Sequence, residues 1–216
     1  VRALDCDFLA CSTYKFFGPH MGVLYGKREH LKRLTPYKVR ACTEEIPSRW
    51  ESGTNNHEGI AGITACVDYI ADLGRRADPS AKNRRAAIEA AFTAIHEHEH
   101  ALMETLIAGV LALRGVKFYG ISDPKRFDHR CPTIVLGIDG HTPLELATKL
   151  GERGFFTWDG NYYAINLTDR LDVEKAGGFL RIGLAHYNTA EEVDRLLAAL
   201  REIAGSVFSE SACNRP

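Results

Sequence analysis

The sequence has no Cys-x-x-Cys pair. Its six cysteines (Cys6, Cys11, Cys42, Cys66, Cys131 and Cys213) are scattered. That pattern fits free thiols in a reducing cytosol better than a disulfide framework or a zinc site. A cytoplasmic location and no structural metal are therefore expected. No apolar run is long enough to span a bilayer, and no N-terminal stretch resembles a signal peptide. Net charge is nearly absent: 27 Lys+Arg against 28 Asp+Glu leave −1 at pH 7. There is thus no basic field for nucleic acid and no acidic tail. No internal repeat is visible. What remains is 216 residues, 45% apolar and 25% charged, an ordinary globular composition with room for one large or two small domains.

The chain opens on an apolar run, Asp7 to Cys11, that reads as a short buried strand. Ser12-Thr13-Tyr14-Lys15-Phe16-Phe17 follows, and Gly18-Pro19 turns the chain before a second apolar run, Met21 to Tyr25. Lys15 is thereby expected on a tight strand–turn–strand between apolar walls and hydroxyls. Such walls would desolvate an ammonium and lower its pKa, as an amine nucleophile requires. The residues alone leave this open against an ordinary solvated lysine.

Further on, Lys27 to Leu34 reads as a charged helical step ended by Pro36. Glu51 to Glu58 reads as a loop in which Asn55-Asn56 could cap a helix over Gly59 to Leu73. Thr54 reads there as a helix N-cap without a ligand. The charged, turn-rich stretch Gly74 to Ser80 is the expected domain boundary. A long helical pattern runs from Ala81 to Leu113 and carries His96-Glu97-His98-Glu99-His100. That segment formally satisfies H-E-x-x-H, but it interrupts a charged helix face and is read as solvated.

The remainder reads as α+β. Strands are expected at Val116 to Tyr119, Thr133 to Ile138, Phe155 to Trp158 and Phe179 to Ala185. Helices are expected after Thr142-Pro143 and, capped by Asn188 or Thr189, through Val193 to Leu200. Ser206 to Pro216 is expected to be a disordered tail. Arg181 lies in an otherwise apolar strand, where a buried charge needs a partner. From the residues alone it reads as half of an ion pair with Asp169 or Glu192. Cys131, before Pro132, reads as a small buried apolar residue.

Four stretches together resemble one family in order. They are Ser12 to Pro19 around Lys15, Glu51-Ser52-Gly53-Thr54-Asn55-Asn56, Pro143 to Phe156, and Gly178 to Thr189 around Arg181. They resemble the class V aminotransferases, a cysteine desulfurase-like branch of the fold-type I enzymes that use pyridoxal 5′-phosphate (PLP). The resemblance implies an α/β fold: the remainder of a PLP-dependent transferase large domain (1–80), then a bridging helix and small α+β domain (81–205), then the tail (206–216). Family members are roughly twice as long, so the chain is expected to be their C-terminal half.

The resemblance also implies a transferase or lyase acting on an amino acid. It assigns Lys15 as the catalytic, cofactor-binding Schiff-base lysine and Ser12 and Thr54 as phosphate contacts. Arg181 becomes the clamp for the substrate α-carboxylate. A homodimer is implied, with the Thr54 loop reaching the partner subunit. Two departures stand out. Tyr14 replaces the histidine that usually precedes the lysine. The stretch Asp159 to Asn166 holds no cysteine where desulfurases carry their persulfide-forming one. Two alternatives follow: an aminotransferase or lyase instead of a desulfurase, or a non-catalytic fragment that cannot hold PLP without the missing half.

Overall fold

The computed structural model describes residues 1–51 and 53–213, with side chains through Gly205. It divides into two compact units, Val1–Phe92 and Thr93 onward. The division falls inside a helix. The expected boundary at Gly74 to Ser80 lies at the end of one helix and the start of the connection to the next.

The first unit opens with a hairpin: β1 (Phe8–Ser12) pairs antiparallel with β2 (Gly22–Gly26), Phe8 opposite Gly26 and Ser12 opposite Gly22. α1 (Arg28–Arg33) follows, then an irregular stretch, then α2 (His57–Ala77). Asn56 caps α2, its Oδ1 accepting from the Gly59 amide at 2.8 Å. α2 is amphipathic and buries Cys66, Ile70 and Ala71. It packs on the first turns of α3 (Arg84–Leu111). At Gly74 the approach is so close that a Cβ would lie 1.7 Å from the Ala87 carbonyl oxygen. Any side chain there would force the two helices apart.

The expectation of a buried hairpin is not met. Both strands are exposed along most of their length, with Phe8 44% and Leu24 64% accessible. An apolar run reads as buried only if another layer covers it, and no described element of this unit covers both faces. Two strands alone are marginal in water. The hairpin instead leans on α2 through its turn: Met21 lies where a Cβ on Gly59 would go, and Pro19 touches the same position on Gly62.

The second unit is a four-stranded antiparallel sheet in the order β3-β4-β6-β5. Its strands are β3 (Val116–Tyr119), β4 (Thr133–Ile138), β5 (Trp158–Gly160) and β6 (Phe179–Gly183). α4 (Pro143–Gly151) starts with a capping box between Thr142 and Glu145. α5 (Ile165–Arg170) is short, and α6 (Ala190–Cys213) closes the unit. α6 runs on through Ser206, where a tail was expected, and residues 214–216 lie outside the described ones. One core joins Leu106 and Val110 of α3, Leu136 of β4, Leu146 and Leu150 of α4, Leu180 of β6, and Leu197 and Leu200 of α6. Helices thus cover the sheet face that carries Leu136 and Leu180. This α+β unit agrees with the architecture expected of the chain's second half.

Two local expectations are corrected. The strand expected at Phe155 to Trp158 lies at Trp158–Gly160, because pairing with β6 begins where Trp158 faces Arg181. Cys131 is exposed, not buried, since it precedes β4 and lies outside the core that the strand builds.

Candidate functional site

Lys15 sits in a single 3-10 turn, Thr13–Phe16, that links the hairpin strands. Thr13 builds this turn. Its side chain is fully buried; its hydroxyl donates to the Pro19 carbonyl and lies 3.1 Å from the Met21 carbonyl. Its own carbonyl accepts from the Gly18 amide at 2.9 Å. On the other side, Phe16 packs against Cys66, Ile70 and Ala91, and the Cys66 thiol donates to the Phe16 carbonyl at 3.0 Å. Burial pushes the Cys66 thiol up, so it stays protonated as a donor. The turn is therefore fixed at both ends and presents Lys15 between them.

Lys15 itself is exposed. The apolar walls expected to desolvate it are not built by the described residues, for the same reason that the hairpin faces are bare. Its ammonium lies 6.0 Å from the Tyr14 ring centroid, and the Tyr14 ring meets that of His20 at a tilt, centroids 4.5 Å apart. Ser12, half-buried, makes no capping hydrogen bond. Thr54 is exposed and is not the N-cap, because Asn56 holds that role. Ser52, in the same loop, lies outside the described residues.

Sequence reasoning missed Thr13, though a hydroxyl residue at the end of an apolar strand was a usable signal. Replacing it with valine keeps the shape and removes the hydroxyl. About 1 kcal/mol of stability should be lost, lowering the melting temperature by roughly 2–4 °C for a chain of this size. An unchanged thermal unfolding curve would contradict the pinning role.

Arg181 lies in the second unit. Register decides its setting: Tyr119 faces Val135, Val135 faces Arg181, and Arg181 faces Trp158. These four occupy the sheet face opposite the core. Arg181 is consequently exposed, while Leu180 and Ile182 beside it are buried, so the premise of a buried arginine is corrected by strand alternation. No described ion pair involves Arg181. Glu192, one partner considered for it, instead accepts from Asn188 and from the Thr189 amide, each at 3.0 Å. The contact Arg181 does make is aromatic: its guanidinium carbon lies 5.3 Å from the Tyr162 ring centroid.

Tyr162 belongs to the turn after β5, where a cysteine is lacking. Tyr162 and Tyr163 both adopt left-handed backbone, φ 53° and 64°, a costly conformation away from glycine. Glu174 ties this turn down, accepting from the buried Thr168 hydroxyl and from the Asn161 amide at 2.9 Å. Those bonds, the Thr168 one first, hold its carboxyl below the usual range. A carboxylate with a lowered folded pKa stabilises above its unfolded pKa and loses that contribution as pH falls through the folded one. The turn should therefore stay intact from neutral pH down to the ordinary glutamate range near about pH 4.3 and loosen only below it. The Asn161 side-chain amide resonances would report this; loosening at higher pH would contradict it.

The histidines of the H-E-x-x-H stretch serve other contacts. His96 and His100 approach Asp128 at 3.8 and 3.9 Å, and His98 meets the Asn188 carbonyl at 2.8 Å. Among the described residues no group of three or more potential ligands could hold a metal ion.

A family model described as aminotransferase class-V matches residues 1–92 and 83–196. The chain belongs to this family. The aminotransferase class-V chain is 31% identical to a cysteine desulfurase of Klebsiella pneumoniae (strain 342) and 29% identical to one of Yersinia pestis (strain Pestoides F). Both matches cover 94% of this chain and 47% of the relative, so the chain spans about half the length of the curated relatives it matches. Among solved structures it resembles the cysteine desulfurase of Thermococcus onnurineus NA1, with a TM-score of 0.75 and 24% identity, covering 95% of this chain and 49% of that one. It also resembles the cysteine desulfurase CsdA of Escherichia coli, with a TM-score of 0.71 and 25% identity, covering 96% and 48%. The mixed helix–strand fold is thus that of half a class-V enzyme.

The family implies PLP, and the donor set of this class-V chain fits it. An exposed primary amine on a fixed turn suits an aldehyde, and the uncommitted Ser12 hydroxyl adjoining it suits a phosphate. No described helix is long and apolar enough to cross a membrane.

Proposed function

We propose that this chain supplies the lysine-bearing half of a PLP-dependent active site acting on an α-amino acid. The carrying observation is the turn at Lys15: Thr13 and Phe16 fix it at both ends, and between them stands an accessible amine. In this reading Lys15 holds the cofactor through its amine and then moves the proton at the substrate α-carbon. Ser12 and Thr54 donate to the phosphate, Thr54 from a loop that reaches the partner subunit of a homodimer. Arg181 pairs both oxygens of the α-carboxylate. The cofactor, when bound, supplies the sink for the electrons released at the α-carbon.

On this reading the reaction belongs with aminotransferases and lyases and not with persulfide-forming desulfurases. Residues 159–166 contain no cysteine, and the turn there is tethered by Glu174. With PLP, L-cysteine and a thiol reductant, the protein should form no alanine above a Lys15→Ala control. Lys15-dependent alanine formation with repeated turnover, the product left when sulfur departs as a persulfide, would contradict this assignment.

A second reading rests on the bare hairpin. With both faces of β1 and β2 exposed, the chain could need a covering partner before it retains PLP, the sheet edges otherwise being open to pairing. Equilibrium binding of PLP to the 216-residue chain separates the two: saturable retention, lost in Lys15→Ala, supports a chain competent by itself.

A further inference from the structure

A carboxylate clamp must be held in place without being neutralised. An acidic neighbour would order Arg181 but would also occupy the N–H fork that a substrate carboxylate needs. An aromatic face orders a cation and leaves its in-plane donors free. Resting on the Arg181 assignment above, we infer that Tyr162 is the positioning residue that holds the Arg181 guanidinium on the open sheet face for a substrate carboxylate.

Three observations carry this. The guanidinium carbon lies 5.3 Å from the Tyr162 ring centroid, and no described ion pair competes for it. The ring is itself locked: the Tyr162 hydroxyl lies 2.6 Å from the Trp158 carbonyl and 2.9 Å from the Phe179 carbonyl, tying it to both β5 and β6. The backbone is strained there, with φ 53° at Tyr162, and Asn161 and Thr168 bound to Glu174 hold that geometry. Strain of this kind persists only where surrounding contacts over-determine it. Gly178 makes the approach possible, since a Cβ there would lie 2.2 Å from the Gly160 carbonyl oxygen. Burial pushes the phenol up to about 12, so the ring stays neutral and its hydroxyl remains a donor. Trp158, directly opposite Arg181 in the register and 69% exposed, lies on the same sheet face.

The test is side-chain NMR of the full chain, following the Arg181 Nε–Hε group in wild type, Tyr162→Phe and Tyr162→Leu. Its relaxation should report an ordered guanidinium in wild type and Tyr162→Phe and a mobile one in Tyr162→Leu, with β5 and β6 amide shifts retained. Titration with L-alanine should shift this resonance with an apparent Kd at least fivefold weaker in Tyr162→Leu and within twofold in Tyr162→Phe. L-Alaninamide, which lacks the carboxylate, should give no saturable shift. A purely structural role would lower stability without this split. An Arg181 equally ordered in Tyr162→Leu overturns the inference. So does a wild-type Arg181 as mobile as Arg28 and free of a ring-current shift, a result that needs no variant to fold. A Tyr162-dependent order with no response to L-alanine overturns the carboxylate role and leaves the aromatic hold standing.

Discussion

With Lys15 replaced by alanine, exchange of the Cα proton of L-alanine for solvent deuterium should fall at least a thousandfold on the PLP-loaded protein. That is about 4 kcal/mol of barrier, at roughly 1.36 kcal/mol per tenfold. The size follows from what the side chain does. In the proposed role one amine both holds the cofactor and moves the proton, so its loss removes two contributions together. A neighbouring lysine cannot substitute, because the Thr13–Pro19 turn fixes the position and not only the charge. Histidine at this site should not restore exchange, as imidazole cannot take the amine's place on an aldehyde. Exchange that survives in Lys15→Ala would move the chemistry to another residue.

Replacing Arg181 with alanine should raise KM for an amino acid about a hundredfold, close to 3 kcal/mol, the value of a charge-assisted bidentate pair. The effect on kcat should be smaller, because carboxylate pairing is made alike in ground and transition states. Lysine should recover only part of the loss, since a point charge does not reproduce the planar fork. The structure strengthens the expectation. Arg181 has no described acidic partner, so its removal strands no buried charge and should leave stability nearly unchanged. Equal falls in stability and in affinity would indicate a structural arginine.

Much of the fold was legible because local signals agreed. Thr142-Pro143 gave the start of α4, the apolar run from Thr133 to Ile138 gave β4, and Thr189, one of the two caps expected, marks the start of α6. The candidate site was nameable from residue types: Lys15 before Gly18-Pro19, and Arg181 inside an apolar strand. Its surroundings were not. An apolar run such as Phe8 to Cys11 signals burial only when something lies over it, and sequence does not say whether that layer is present. Whether Arg181 pointed to core or solvent depended on strand register, which sets faces by alternation. Trp158 opposite Arg181, and Tyr162 beneath its guanidinium, are products of that register. No spacing in the chain announces either contact. Thr13 was hidden differently, as the least conspicuous of several hydroxyls beside a lysine that drew attention away from it.

The central claim is that Lys15 is the cofactor lysine. Incubating the protein with PLP, reducing with borohydride and locating the label by peptide mass tests it most directly. The account predicts label concentrated on Lys15 and lost from the Lys15→Ala protein. Label spread over the other lysines, or no label above background, would contradict it.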